Sequence, residues 1–203
     1  MYKFSVLTGL KMETIQRIFL YEIPNLVWQF INAPIRCNNS RIAIELRKKL
    51  YRTPCVIDTN VFITNIKNLE AGPGSALYHS CYILNSNGKF VIGNDSHLGA
   101  FCYVNAHHGN VIIGNNVAIG PGTKIFSYSN HYLFGKKVTD VKITKDVLIK
   151  NNVFIGANCI ILPGTVIQDN VVIGAGSVIK GELQSNSIYG GVPCKELRAG
   201  WYE

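Results

Sequence analysis

Charge is scarce in this chain. Of its 203 residues 16% are charged against 47% hydrophobic, a balance that excludes a disordered chain and leaves ample material for a core. Long apolar runs are missing too. The richest stretch, Ile15 to Ala33, is broken by Gln16, Arg17, Glu22, Pro24, Asn25 and Gln29, so it does not read as a spanning helix. No unbroken apolar stretch near the start leads to a small-residue cleavage site, and the expected location is cytoplasmic. Cysteines 37, 55, 81, 102, 159 and 194 never fall in C-x-x-C spacing. That spacing excludes a cysteine-rich zinc module, and a chain of this length has no need of a disulfide scaffold.

Acidic residues are the rarer charged class, 12 against 20 Lys and Arg, and the net charge of +8 points to an anionic partner. Most of the excess lies in residues 1–53, where nine basic residues meet Glu13, Glu22 and Glu45. Residues 41–52 read as an amphipathic helix with Ile42, Leu46 and Leu50 at i, i+4 and i+8. Residues 12–33 read as a helix interrupted at Pro24, which lacks the amide proton. Two readings of this segment stand: a helical cap with a solvated basic face, or a surface lying on an anionic membrane, where each basic residue adds up to about 1 kcal/mol.

What is abundant is a period of six. Ile143, Ile149, Ile155, Ile161, Ile167, Ile173 and Ile179 keep strict hexad register. Four residues after each of the first six stand Val147, Val153, Cys159, Thr165, Val171 and Ser177, all small or β-branched. Gly156 and Gly174 follow anchors, and Asn151, Asn152, Asn158 and Asn170 suit tight corners, since Gly and Asn tolerate the left-handed backbone region. Neither a helix at 3.6 nor a lone strand at 2.0 produces this pattern. Short strands joined by corners do, three to a coil, with coils stacked about 4.8 Å apart through parallel ladders.

The register runs upstream through Leu77 and Ile83, then Ile92, Leu98 and Val104, then Ile113, Ile119 and Ile125, after a weaker start at Ile57, Ile63 and Leu69. Ile83, Val104 and Ile125 are 21 apart, so the extra residues after each fall at one corner. Asn85–Lys89, Ala106–Asn110 and the loop Phe126–Lys142 should therefore stack along a single edge. Cys81, Cys102 and Cys159 fall in the small inward slot and read as filler. His79 and His97 read as outward, solvated residues. His107, His108 and His131 gather at the expanded corner, and a long loop in an otherwise economical repeat usually carries function.

The hexads Ile155-Gly156-Ala157-Asn158-Cys159-Ile160 to Ile173-Gly174-Ala175-Gly176-Ser177-Val178, with the tail Gly190-Gly191-Val192-Pro193-Cys194-Lys195, resemble the hexapeptide-repeat acyltransferases. Within them the pattern is most like the galactoside, maltose and polysaccharide O-acetyltransferases, over about residues 75–200. Residues 1–54 are only loosely similar to the basic helical leaders of cell-surface polysaccharide acetyltransferases. The resemblance implies a left-handed parallel β-helix over 55–181 with an N-terminal helical segment (1–54), an extruded catalytic loop (126–142) and a CoA-binding tail (182–203). It implies a homotrimer, acetyl-CoA as donor and a saccharide as acceptor, with no metal and no nucleic acid involved. By matching position, His131 is the catalytic base and Asn105 contacts the acceptor sugar; the stacked-corner register puts His107 and His108 one coil away, to line the acceptor pocket or to act as base themselves. Phe154, Ala157 and Ala175 match donor-arm positions. Lys195, assisted by Arg198, matches the residue near the nucleotide 3′-phosphate, and Lys180 stands where relatives read Thr-Lys.

A thioester is already activated, so such a site has only to deprotonate a hydroxyl and hold an oxyanion. A neutral imidazole, with an ordinary pKa near 6.5, suits the first task, and backbone amides the second. Three alternatives stay open at this point. One is a zinc hydratase like the γ-carbonic anhydrases, with His107, His108 and His131 as ligands but without their His-x4-His spacing. Another is a non-enzymatic solenoid surface, which needs no seventeen-residue loop. The third is N-acetylation of an amino sugar or antibiotic.

Overall fold

The computed structural model describes Asn38 and residues 40–200; the interrupted helix expected over 12–33 and Cys37 lie outside the described residues. The six-residue step becomes a left-handed parallel β-helix of about six coils. Each coil contributes one short strand to each of three faces. The first face holds Val56–Ile57, Ala76–Leu77, His97–Leu98, Ala118–Ile119, Phe154–Ile155, Val172–Ile173 and Ser187–Gly190, closed by the antiparallel tail strand Lys195–Ala199. The second holds Phe62–Ile63, Tyr82–Leu84, Tyr103–Asn105, Lys124–Phe126, Ile160–Ile161 and Val178–Ile179. The third runs from Leu69–Ala71 through Phe90–Ile92, Val111–Ile113, Val147–Ile149 and Val166–Ile167 to Glu182–Leu183.

The anchors point inward as the period requires. Ile57, Leu77, Leu98, Ile119, Ile155 and Ile173 pair strand to strand in one column and are all fully buried. Stacking of this kind means each coil buries its apolar face only against its neighbours. The small slots fill as expected: Cys81, Cys102, Thr123, Cys159 and Ser177 are buried before successive strands of the second face. Burial pushes the Cys55, Cys159 and Cys194 thiols up. Contact with the Cys102 thiol, together with burial, does the same to Cys81. These are the surroundings of packing residues rather than of nucleophiles. Corners use the left-handed region at Asn60, Asn116, Asn152, Asn158, Asn170 and Asn186, and, against expectation for a bulky residue, at Phe101.

Two expectations need correction. Ile143 is not an anchor of a coil side. It is half-buried in an antiparallel hairpin, where Tyr128–Asn130 pairs with Lys142–Thr144, and the solenoid resumes at Val147. The inward hexad column therefore restarts with Ile149, because the extruded loop keeps its own two-stranded ladder. The second concerns the helix Arg41–Tyr51, which forms but packs by the other face. Ile42 is 75% exposed, while Ala43 and Arg47 are buried. Arg47 donates through Nε to the Ile57 carbonyl and through a terminal nitrogen to the Asn38 carbonyl at 2.8 Å. A guanidinium can bury its stem and still meet backbone acceptors, which a leucine cannot. Burial lowers the pKa of Arg47, with Asp58 and Tyr51 opposing.

Candidate active site

The corner that ends the second face stacks as the 21-residue spacing demands. Leu84, Asn105 and Phe126 pair in register, and the extra residues of each coil follow them. Buried polar groups pin this edge. The Asn85 side chain accepts from the Asn65 amide at 3.0 Å and donates to the Asn65 carbonyl at 2.9 Å. Ser127 Oγ lies 2.9 Å and 2.8 Å from the carbonyls of Asn105 and Gly109. Asn110 holds the returning end of the loop, donating to both oxygens of Asp146 at 2.8 and 3.0 Å. A buried amide or hydroxyl left unpaired would cost about 1–3 kcal/mol, so this satisfied network holds the corner rigid.

On that base the hairpin projects His131 outward, its amide donating to the Val141 carbonyl at 2.9 Å where the ladder opens into the tip. Beyond it Tyr132, Leu133 and Phe134 are exposed, Phe134 to 90%. At the hairpin's root the His107 and His108 rings meet edge to face at 4.3 Å, and His108 lies 4.6 Å from the Tyr128 ring. Lys142 Nζ stands 5.7 Å from the centroid of Tyr128. Desolvation, and then the neighbouring His107 and Lys142, lower the pKa of His108 and favour its neutral form. Asn105 turns its side-chain oxygen to the His107 amide at 3.2 Å. Asn105, His107 and His108 are thus brought together, and His131 hangs from the same edge three residues past Tyr128. Tyr128, Lys142 and Asp146 complete this edge and were not singled out from the sequence. The register of the hairpin, which identifies them, is hidden inside the long loop.

The remaining expected residues lie elsewhere. Phe154, half exposed, and Ala157 line a groove of about 540 Å3 on the first face, together with Tyr78, His97, Gly99, Ala100, Ala118 and Gly120. His97 is half-buried there rather than solvated, and burial lowers its pKa. Ala175 stacks one coil above Ala157, next to Gly156. Lys195 and Arg198 lie exposed on the tail strand, opposite Gly190 and Ile188 at the upper end of the same face. Lys180 sits apart from them, exposed at the corner after the second face. Groove and histidine corner therefore occupy different faces of one prism. Among the described residues no three His, Cys, Asp or Glu side chains are grouped to hold a metal ion.

Residues 146–181 match the family profile described as bacterial transferase hexapeptide (six repeats). The galactoside O-acetyltransferase of Escherichia coli (strain K12) is 46% identical over 52 residues, 26% of this chain and 26% of that protein, so the match spans about a quarter of the relative's length. A crystal structure of a mutant of AntD, an N-acyltransferase from Bacillus cereus in complex with dTDP-4-amino-4,6-dideoxyglucose and coenzyme A, is 27% identical. The likeness covers 76% of this chain and 88% of that one with a TM-score of 0.65. A hexapeptide-repeat acetyltransferase from Vibrio cholerae O1 biovar eltor, complexed with acetyl-CoA, shares the fold at 20% identity and a TM-score of 0.59, over 90% and 91% of the two chains. The chain carries the bacterial transferase hexapeptide repeat on a left-handed parallel β-helix.

Proposed function

We propose that the protein transfers an acetyl group from acetyl-CoA to a sugar hydroxyl, with His131 as general base. The observation that carries this reading is the single large break in the coils. It sends one exposed imidazole out from an edge already lined by Asn105, His107 and His108. In the transfer, a neutral His131 nitrogen takes the hydroxyl proton as the oxygen attacks the thioester carbonyl carbon. The tetrahedral oxyanion collapses, the carbon–sulfur bond breaks, and the departing thiolate takes the proton back from His131. Rigid coils favour such a reaction, because placing two substrates is much of the catalysis.

The donor lies along the first face, with its 3′-phosphate at Lys195 and Arg198 and its arm over Phe154, Ala157 and Ala175. That face and the His131 edge do not meet on one prism, and a convex edge is no pocket. A closed homotrimer joins the groove of one copy to the hairpin of the next, and the exposed apolar tip at Tyr132–Phe134 suits that contact. A second acceptor class, an amine on a nucleotide-linked sugar, is favoured by the likeness to the AntD complex across three quarters of the chain. Thiol release from acetyl-CoA, measured with matched hydroxyl and amino sugars, separates the two. Turnover with hydroxyl acceptors is expected; turnover with amines alone would shift the assignment to N-acetylation, and none with either would sink both.

A further inference from the structure

Resting on that reading of the donor, we propose that Tyr78 and His97 form the end wall of the acyl pocket and set the longest acyl group the protein accepts. The residue after each inward anchor of the first face is glycine in five successive coils, at Gly99, Gly120, Gly156, Gly174 and Gly190, and their amides or carbonyl neighbours keep the ladder in step. Close stacking demands glycine at the lower three: a Cβ on Gly99 would stand 2.6 Å from the nitrogen of Pro121, and one on Gly120 2.5 Å from that of Ala157. Outside, the groove on the first face spans the coils from Phe154 and Ala157 down to Tyr78. In the next coil down the column ends, because Tyr78 takes the glycine's place.

Length places the thioester near that end. From the strand Ser187–Gly190, beside Lys195, three ladder steps lead to Ala118 and a fourth to His97, about 14 and 19 Å. A pantetheine arm, with its two amides, reaches about as far as five residues of extended chain, roughly 17 Å. With the 5′-diphosphate close to the 3′-phosphate at the tail, an arm that passes Phe154 brings its acyl carbon near Ala118. The surface beyond is apolar and small, formed by Ala118, Gly99 and Ala100. It is closed by rings: Tyr78 and His97 lie 5.4 Å apart, and next to them His79 meets Phe101 edge-on at 5.0 Å. Phe101 holds a positive φ of 59° at a corner position filled by Asn or Gly in the higher coils, Gly122, Asn158 and Gly176. A bulky residue held at positive φ is costly, and such residues cluster at ligand clamps.

The test is a chain-length series of acyl-CoA donors from acetyl to octanoyl, read two ways on the full-length protein: direct binding by calorimetry, and acyl transfer. Tyr78→Ala should move the length limit upward, strengthening binding of the longer donors relative to acetyl-CoA by about four-fold for each methylene newly covered. Ala118→Leu fills the floor before the wall and should act in the opposite sense, weakening butyryl- and longer donors more than acetyl-CoA. An identical length profile in wild type and both variants, with acetyl-CoA still bound, overturns the acyl wall and leaves the donor reading standing. Failure of every acyl-CoA to bind the wild type overturns both.

Discussion

Along the corner that ends the second face, every coil from Tyr82 to Asp146 departs from the six-residue step, whereas along the first face the step is kept from Ala76 to Ile188. The corner is polar and self-bonded, with Asn85, Ser127 and the Asn110–Asp146 pair fixing a projecting hairpin. The first face is mostly apolar, its groove lined by Gly99, Gly120, Ala100, Ala118 and Ala157 between the rings of Phe154, Tyr78 and His97. On the proposed reading, breaking the repeat supplies groups for chemistry and keeping it supplies a bed for a long ligand. The two regions should therefore fail differently when altered: the corner in turnover, the first face in donor binding.

The largest effect expected is at His131. His131→Ala should lower kcat by roughly 10²–10⁴-fold, the usual contribution of a general base, with donor affinity and assembly nearly unchanged. His107→Ala and His108→Ala should instead raise the acceptor KM, as groups that bind substrate and transition state alike do. Steady-state kinetics on the three variants checks the division. Full turnover by His131→Ala alongside a dead His107→Ala or His108→Ala would move the base to the root of the hairpin.

The comparison also explains what was legible in the sequence. A strict period fixes which residues face inward, so the anchors from Leu77 to Ile179 and the cysteine slots could be read directly, and so could the edge where insertions gather. Ile143 could not, because an antiparallel hairpin also accepts an isoleucine and the hexad count runs on through it by coincidence of length. The helix Arg41–Tyr51 misled for a different reason: its apolar stripe is real, but Arg47 finds the Ile57 and Asn38 carbonyls at the end of the prism, and tertiary partners outweigh periodicity. In the sequence Tyr78 and His97 look like ordinary outward residues. Only the register reveals that Tyr78 interrupts a column of five glycines.

A middle-sized effect is expected at the upper end of the first face. Lys195→Glu replaces a cation with an anion where the proposed function puts the donor phosphate, and a charge-assisted contact contributes about 1.5–3 kcal/mol, roughly ten- to a hundred-fold in affinity. The loss should appear with intact acetyl-CoA and nearly vanish with a donor lacking the 3′-phosphate. Added salt should narrow the gap between those donors in the wild type, since screening acts on the charge contact. Equal losses with both donors in equilibrium binding would give Lys195 a structural role in the tail strand.

The smallest effect expected is on stability, and it belongs to His97 alone. Burial in the groove lowers its pKa in the folded chain. Once unfolded, the imidazole titrates near its ordinary value of about 6.5. As pH falls through that value the unfolded chain takes up a proton that the folded chain resists. The unfolded state then binds more protons, so stability rises with pH across this window. His97's favourable contribution is present above the unfolded value and is lost as pH falls below it. Melting at pH about 8 and about 5.5 should show a lower Tm in acid, and His97→Gln, which cannot titrate there, should shrink the difference. His108 is shifted the same way but is exposed, so solvent screening blunts its share and His108→Gln should alter the difference less. An acid sensitivity untouched by His97→Gln would show that the lower end of the groove is open to water even when empty, and would weaken its description as an apolar bed.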